Sequence, residues 1–130
     1  MPLVGPDIYE EFCIPYLKAL DSRYGGLGLH CCGEYAHQLP VLARSGLRIK
    51  YIEFHYPFVN PHDLYATLGP APVYVPFLND KASDEFPTWA DFVRWLARTT
   101  PSNMRFYFAG EYGVTADEQH AVVSKAFGLD

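Results

Sequence analysis

The spacing of apolar residues changes several times along the chain, and each change marks an element. Behind the breaker Gly5-Pro6-Asp7, residues Ile8, Phe12, Ile14, Leu17 and Leu20 fall near helical spacing. Pro15 inside that row predicts a kink or short break, and Tyr24-Gly25-Gly26 ends the helix. Leu27 to Cys31 reads as a first strand. Tyr35 to Arg44 reads as a second helix, with Leu39, Leu42 and Ala43 on one face, Pro40 disturbing its first turn and Ser45-Gly46 as its stop. Ile49 to His55 alternates as a second strand, with Ile52 and Phe54 on one face and Tyr51, Glu53 and His55 on the other. Asn60-Pro61 is a cap followed by a first-turn proline, and the helix it opens stops at Gly69-Pro70.

Val73 to Phe77 is an almost wholly apolar third strand, the pattern expected where both faces are covered. Residues 78–86 are polar and loop-like. Thr88 caps a fourth helix whose apolar face is Trp89, Phe92, Val93 and Leu96, with Asp91 three residues after the cap. Arg105 to Ala109 reads as a fourth strand. Thr115-Ala-Asp-Glu118 is a capping box, opening a last helix that runs toward Phe127.

The resulting order, αβαβαβαβα with short connections, predicts an α/β fold of about four parallel strands covered by helices. Residues 1–130 form one domain, since no repeat, low-complexity tract or linker divides them. A four-stranded open sheet is one architecture. Against it, Gly33 in the first strand–helix connection is not part of a G-x-G-x-x-G loop. The other is half of a (β/α)8 barrel, which takes about 250 residues when whole.

Composition narrows the function classes. A net charge of -5, a pI near 5.4 and the lack of a basic run argue against a nucleic-acid surface. No stretch approaches the roughly 20 apolar residues of a membrane span, and Met-Pro-Leu-Val-Gly-Pro at the start has no signal-peptide character. Three cysteines, two of them adjacent, suggest no disulfide framework, and a reducing cytoplasm is expected. Aromatic residues, at 16%, are abundant enough both to fill a core and to line a pocket.

Chemistry gathers at the predicted strand ends, where parallel α/β folds place their sites. The first strand ends in His30-Cys31-Cys32-Gly33, so His30 and Cys32 share a face as an imidazole and a thiol suited to zinc; buried residues that merely close a strand give the same pattern. The second ends with Glu53 and His55, either a carboxylate orienting a catalytic imidazole or a satisfied polar pair. The third is followed by Asn79 and Asp80, the fourth by Glu111 and Tyr112. His37, His62 and His120 fall on helices as surface residues, and Cys13 and Cys31 as buried, inert thiols.

Three segments carry a resemblance to a known family: Gly5-Pro-Asp-Ile-Tyr-Glu-Glu-Phe-Cys-Ile-Pro-Tyr-Leu-Lys18, Leu29-His-Cys-Cys-Gly33, and the helix end Leu64–Gly69 before Val73. In order and spacing the chain resembles the carboxyl-terminal half of the uroporphyrinogen decarboxylase superfamily, which implies the half-barrel. The H-x-C-G signature is similar to that of the zinc-dependent branch, which moves methyl groups between corrinoid proteins and thiols. The resemblance implies His30 and Cys32 as zinc ligands, a small thiol as acceptor and a corrinoid on a partner protein as methyl donor. That branch takes a further cysteine from the loop after a later strand. Here the loop reads Ala109-Gly-Glu-Tyr-Gly113, leaving Glu111 as the third ligand-type residue.

Two other readings follow from the same resemblance. One is a decarboxylase-like domain acting on a tetrapyrrole, although the Gly-His-Gly turn of those enzymes is missing and Arg94, Arg98 and Arg105 offer no polycarboxylate clamp. The other is a non-catalytic half-barrel that needs a partner. Its unpaired edges invite self-association, and half an active-site rim predicts no activity in isolation.

Overall fold

The computed structural model describes residues 3–129; Met1, Pro2 and Asp130 lie outside them, and with them part of the expectation about the chain's start. Four parallel strands form one sheet in the order β1-β2-β3-β4: β1 is Leu27–Leu29, β2 Ile49–Tyr56, β3 Val73–Leu78 and β4 Arg105–Phe106. Helices alternate with them. The first, α1, is built of three consecutive pieces, Pro6–Ile8, a π-helical turn at Tyr9–Cys13, and Ile14–Tyr24. Then come α2 (Leu39–Ser45), α3 (Pro61–Leu68), α4 (Trp89–Thr99) and α5 (Ala116–Phe127).

The alternating parallel architecture expected from the sequence is thus present. Strictly sequential strand order separates it from a doubly wound sheet, whose order reverses at a switch point. With crossovers of one hand, sequential order sends every helix to the same face. Burial agrees: Ile52, Phe54 and Tyr74 are fully buried in one cluster with Leu42, Leu64 and Phe92 from the helices. On the opposite face Tyr51 is 40% exposed and Tyr107 62%.

Capping follows the sequence. Asn60 Oδ1 accepts from His62 N at 2.8 Å, and Thr88 Oγ1 accepts from Asp91 N at 3.2 Å. Thr115 and Glu118 cap each other's backbone. Gly25 and Gly46 close α1 and α2 in the left-handed region, which glycine adopts at little cost.

Several expectations are corrected. At Pro15, where a kink or short break was expected, the α-helical pattern is interrupted by a π turn and resumes. The widened π turn just before the proline accommodates the missing N–H and the crowding of the preceding turn. Of the expected apolar row, Ile14 is buried and Leu17 half-buried, but Ile8, Phe12 and Leu20 face solvent, while Tyr9 and Asp21 are buried as well. Asp21 meets Arg48 Nε at 3.1 Å, while Arg48 Nη2 donates to the Asp21 carbonyl at 2.8 Å. Second, β1 stops at Leu29 and β4 at Phe106, both shorter than the apolar runs that predicted them. Beyond Phe106 only Tyr107 N still reaches across, to the Tyr74 carbonyl at 3.0 Å. Third, β3 is apolar on both faces although helices cover only one; Val73 and Phe77 remain half-buried on the open side. Cys13, expected to be buried, is half-buried; Cys31 is buried. Of the histidines, His120 is exposed, while His37 and His62 are half-buried.

Candidate metal centre

Where β1 ends, the chain turns through His30-Cys31-Cys32-Gly33 still in alternation. Cys31 points into the core, and His30 and Cys32 point out together. The Cys32 Sγ lies 3.0 Å from His30 Nε2. On the other side of the ring, Nδ1 donates to the Glu53 carboxylate. A carboxylate only accepts, so Nδ1 carries the hydrogen, and in the neutral imidazole the Nε2 lone pair faces Cys32.

Glu53 sits in the middle of β2 on the open face, opposite Val75 of β3, and its side chain is 17% exposed against 59% for His30. Tyr35, fully buried, donates its hydroxyl to the Glu53 carbonyl at 2.7 Å. The loop after His30 is thereby tied to the strand that supplies its carboxylate. Burial drives the Tyr35 phenol well above its ordinary range, so it stays a donor. Sequence reasoning missed Tyr35, because a tyrosine opening a helix carries no sign of which carbonyl it reaches.

The expected Glu53–His55 pairing is corrected: the carboxylate orients His30. His55, two residues further on the same face, stacks on Phe77 with ring centroids 4.9 Å apart and planes 15° apart. Burial lowers the His55 pKa, and the nearby His30 adds to this while Glu53 opposes it. Beside Glu53 an apolar depression of about 400 Å³ opens between Tyr51, Val73, Val75 and Tyr107.

The structure does not bring Glu111 to the pair. It follows β4, at the far edge of the sheet from β1, in a turn that Gly110 and Gly113 shape with positive φ. Gln119 holds this turn by donating to the carbonyls of Glu111, at 3.2 Å, and Val114, at 2.8 Å. The Glu111 carboxyl is pushed up by burial and by Asp80, its charged neighbour from the turn after β3. Tyr112 beside it is fully exposed. Among the described residues, no three His, Cys, Asp or Glu side chains are grouped to hold a metal ion.

His30 and Cys32 fit two positions of a zinc site. Sulfur and nitrogen ligands of one tetrahedral zinc stand roughly 3.5 Å apart, given bonds of about 2.3 and 2.0–2.1 Å. Opening the observed 3.0 Å contact by about half an ångström meets that. Glu53 on the rear nitrogen is the partner that metal-bound histidines ordinarily have.

No protein-family model, curated protein or solved structure matches this chain. Among the described residues, no helix is long and apolar enough to cross a membrane.

Proposed function

We propose that the chain is one half of a (β/α)8 barrel of the uroporphyrinogen decarboxylase type, with a zinc site at His30 and Cys32 serving methyl transfer from a corrinoid to a thiol. The observation that carries this reading is the Glu53–His30–Cys32 line, in which the carboxylate fixes the imidazole and turns Nε2 onto the thiol. Zinc bound there would supply the Lewis acidity that keeps a coordinated substrate thiol in its reactive thiolate form.

The chain's own residues do the rest. Glu53 holds the His30 tautomer that leaves Nε2 free to ligate. Tyr35 anchors the backbone of Glu53. Tyr51, Val75 and Tyr107 offer the apolar wall against which a substrate's carbon skeleton would lie. The test is elemental analysis of the purified protein: about one zinc per chain, lost in Cys32→Ala. Zinc retained in full by that variant would refute the assignment.

One observation favours a second reading. A thiol 3.0 Å from an imidazole that is itself held by a carboxylate is also the arrangement of an activated cysteine nucleophile. A metal-free protein whose Cys32 alkylates rapidly with iodoacetamide, and slowly once His30→Gln is introduced, would decide for it.

A further inference from the structure

Two edges of the sheet and one face are left without cover, and their shapes answer one another. At the β1 edge, α1 turns outward an apolar row in steps of four, Ile8, Phe12, Tyr16, Leu20 and Tyr24, each between 45% and 74% exposed. Between this row and β1 runs a groove of about 510 Å³, walled by Phe12, Tyr16 and Leu29, with His30 at its lining. At the opposite edge, β4 and α5 leave a second groove of about 300 Å³ lined by Phe106, Phe108, Val123, Phe127 and Leu129. The face between the edges carries Glu53 and His55 along its middle and Arg105 at its β4 border, among Tyr51, Val73, Val75 and Phe77. β1 carries no charged residue that would blunt its edge, and the one charge on β4, Arg105, is turned back onto the Ala71 carbonyl.

The composition of β3 says that the open face is meant to be covered, since a parallel strand reads as continuously apolar when both faces are packed. The winding says by what. Four parallel strands in sequential order, with helices on one side, need four more strands of the same sense to close into eight, where side chains fill the interior. A second copy supplies them. A two-fold axis along the barrel sets β1 of each copy beside β4 of the other, and both seams close at once with all strands parallel. The surface on offer is adequate. Whole aromatic side chains bury about 150–250 Å² each, so the exposed row, Tyr51, Tyr107 and Leu129 together bring the patch to roughly the 800 Å² per partner of a stable interface.

We infer that two copies of this chain close an eight-stranded barrel, and that each site takes His30 and Cys32 from one copy and Glu111 from the other. Within one chain Glu111 follows β4, three strands away from His30. Across the seam the ends of β4 and β1 become neighbouring strands, about 4.8 Å apart. The shared site rests on the zinc reading above; the closure does not.

The test reads closure and metal separately. Light scattering is expected to give twice the chain mass of 14.7 kDa, and a monomer overturns the inference. Glu111→Cys, oxidised with copper–phenanthroline and air, is expected to form a covalent dimer through Cys32 of the other copy, lost in Glu111→Cys/Cys32→Ser. A dimer that never cross-links there overturns the seam. For the metal, Cys32→Ala and Glu111→Gln are each expected to lose zinc alone, and a co-expressed equal mixture to recover about a quarter of the wild-type content. That fraction follows because half the random dimers are mixed and each of those holds one intact site. Zinc lost in both variants but not recovered in the mixture overturns the shared site. A cross-linked dimer with no zinc in the wild type leaves closure standing and removes the zinc reading instead.

Discussion

At the scale of single residues, Glu53 matters most, because its position on β2 settles which histidine is oriented. It reaches across to β1 rather than along its own strand to His55. Glu53→Gln is expected to weaken zinc binding about 10- to 100-fold, the usual cost of losing the partner behind a ligating histidine. Chelator competition on the purified protein would measure it, and an unchanged affinity would show that the carboxylate does not tune His30. His55 has a different consequence. Burial depresses its pKa in the fold, so the unfolded chain binds the proton more tightly. Stability is then fully present above the unfolded value near 6.5 and falls as pH drops through that value toward the lower folded one. Chemical denaturation at several pH values should show that slope, and His55→Phe, which keeps a ring against Phe77, should remove its share. The sequence pointed to His30 and Cys32 because alternation at a strand end is a local rule. It misassigned the partner of Glu53 because cross-strand register is decided by packing that two strands share.

At the scale of elements, what was legible followed from hydrogen-bond chemistry close along the chain. Caps at Asn60, Thr88 and Thr115 need partners only two or three residues away, and all three form. Thr115→Ala is expected to cost about 1 kcal/mol, readable as a lower urea midpoint with unchanged slope. What was not legible depended on distant contacts. The apolar row of α1 follows helical spacing, yet spacing alone does not say whether a partner lies within the chain. The fourth strand was overestimated for the same reason: residues 107–109 have strand-like side chains but no neighbour on their outer side, and only Tyr107 keeps a ladder bond. The parallel α/β pattern itself was plain, because alternation between the two periods needs no long-range information.

At the scale of the whole molecule, one chain buries one face of its sheet thoroughly and leaves the other as a patchwork of tyrosine, valine and phenylalanine. If two copies share that face, folding and association are linked, and stability depends on concentration. The thermal midpoint is expected to rise measurably over a hundredfold increase in protein concentration. A midpoint independent of concentration would mean that the open face contributes nothing to holding the fold. The same linkage would make activity fall on dilution faster than in proportion to protein, since a site divided between chains is lost whenever they part.

The clamp between Asp21 and Arg48 carries a consequence for motion. It fastens α1 directly to the foot of β2 and bypasses β1, which has a strand neighbour on one side only. In a chain not closed against a second copy, the outer strand can therefore peel from the sheet while the helix before it stays anchored. Its amides at Leu27–Leu29 would exchange with deuterated solvent well before those at Ile52–Phe54, through a local opening rather than global unfolding. Because His30 and Cys32 follow that strand immediately, such breathing would set the pace at which anything enters or leaves between them.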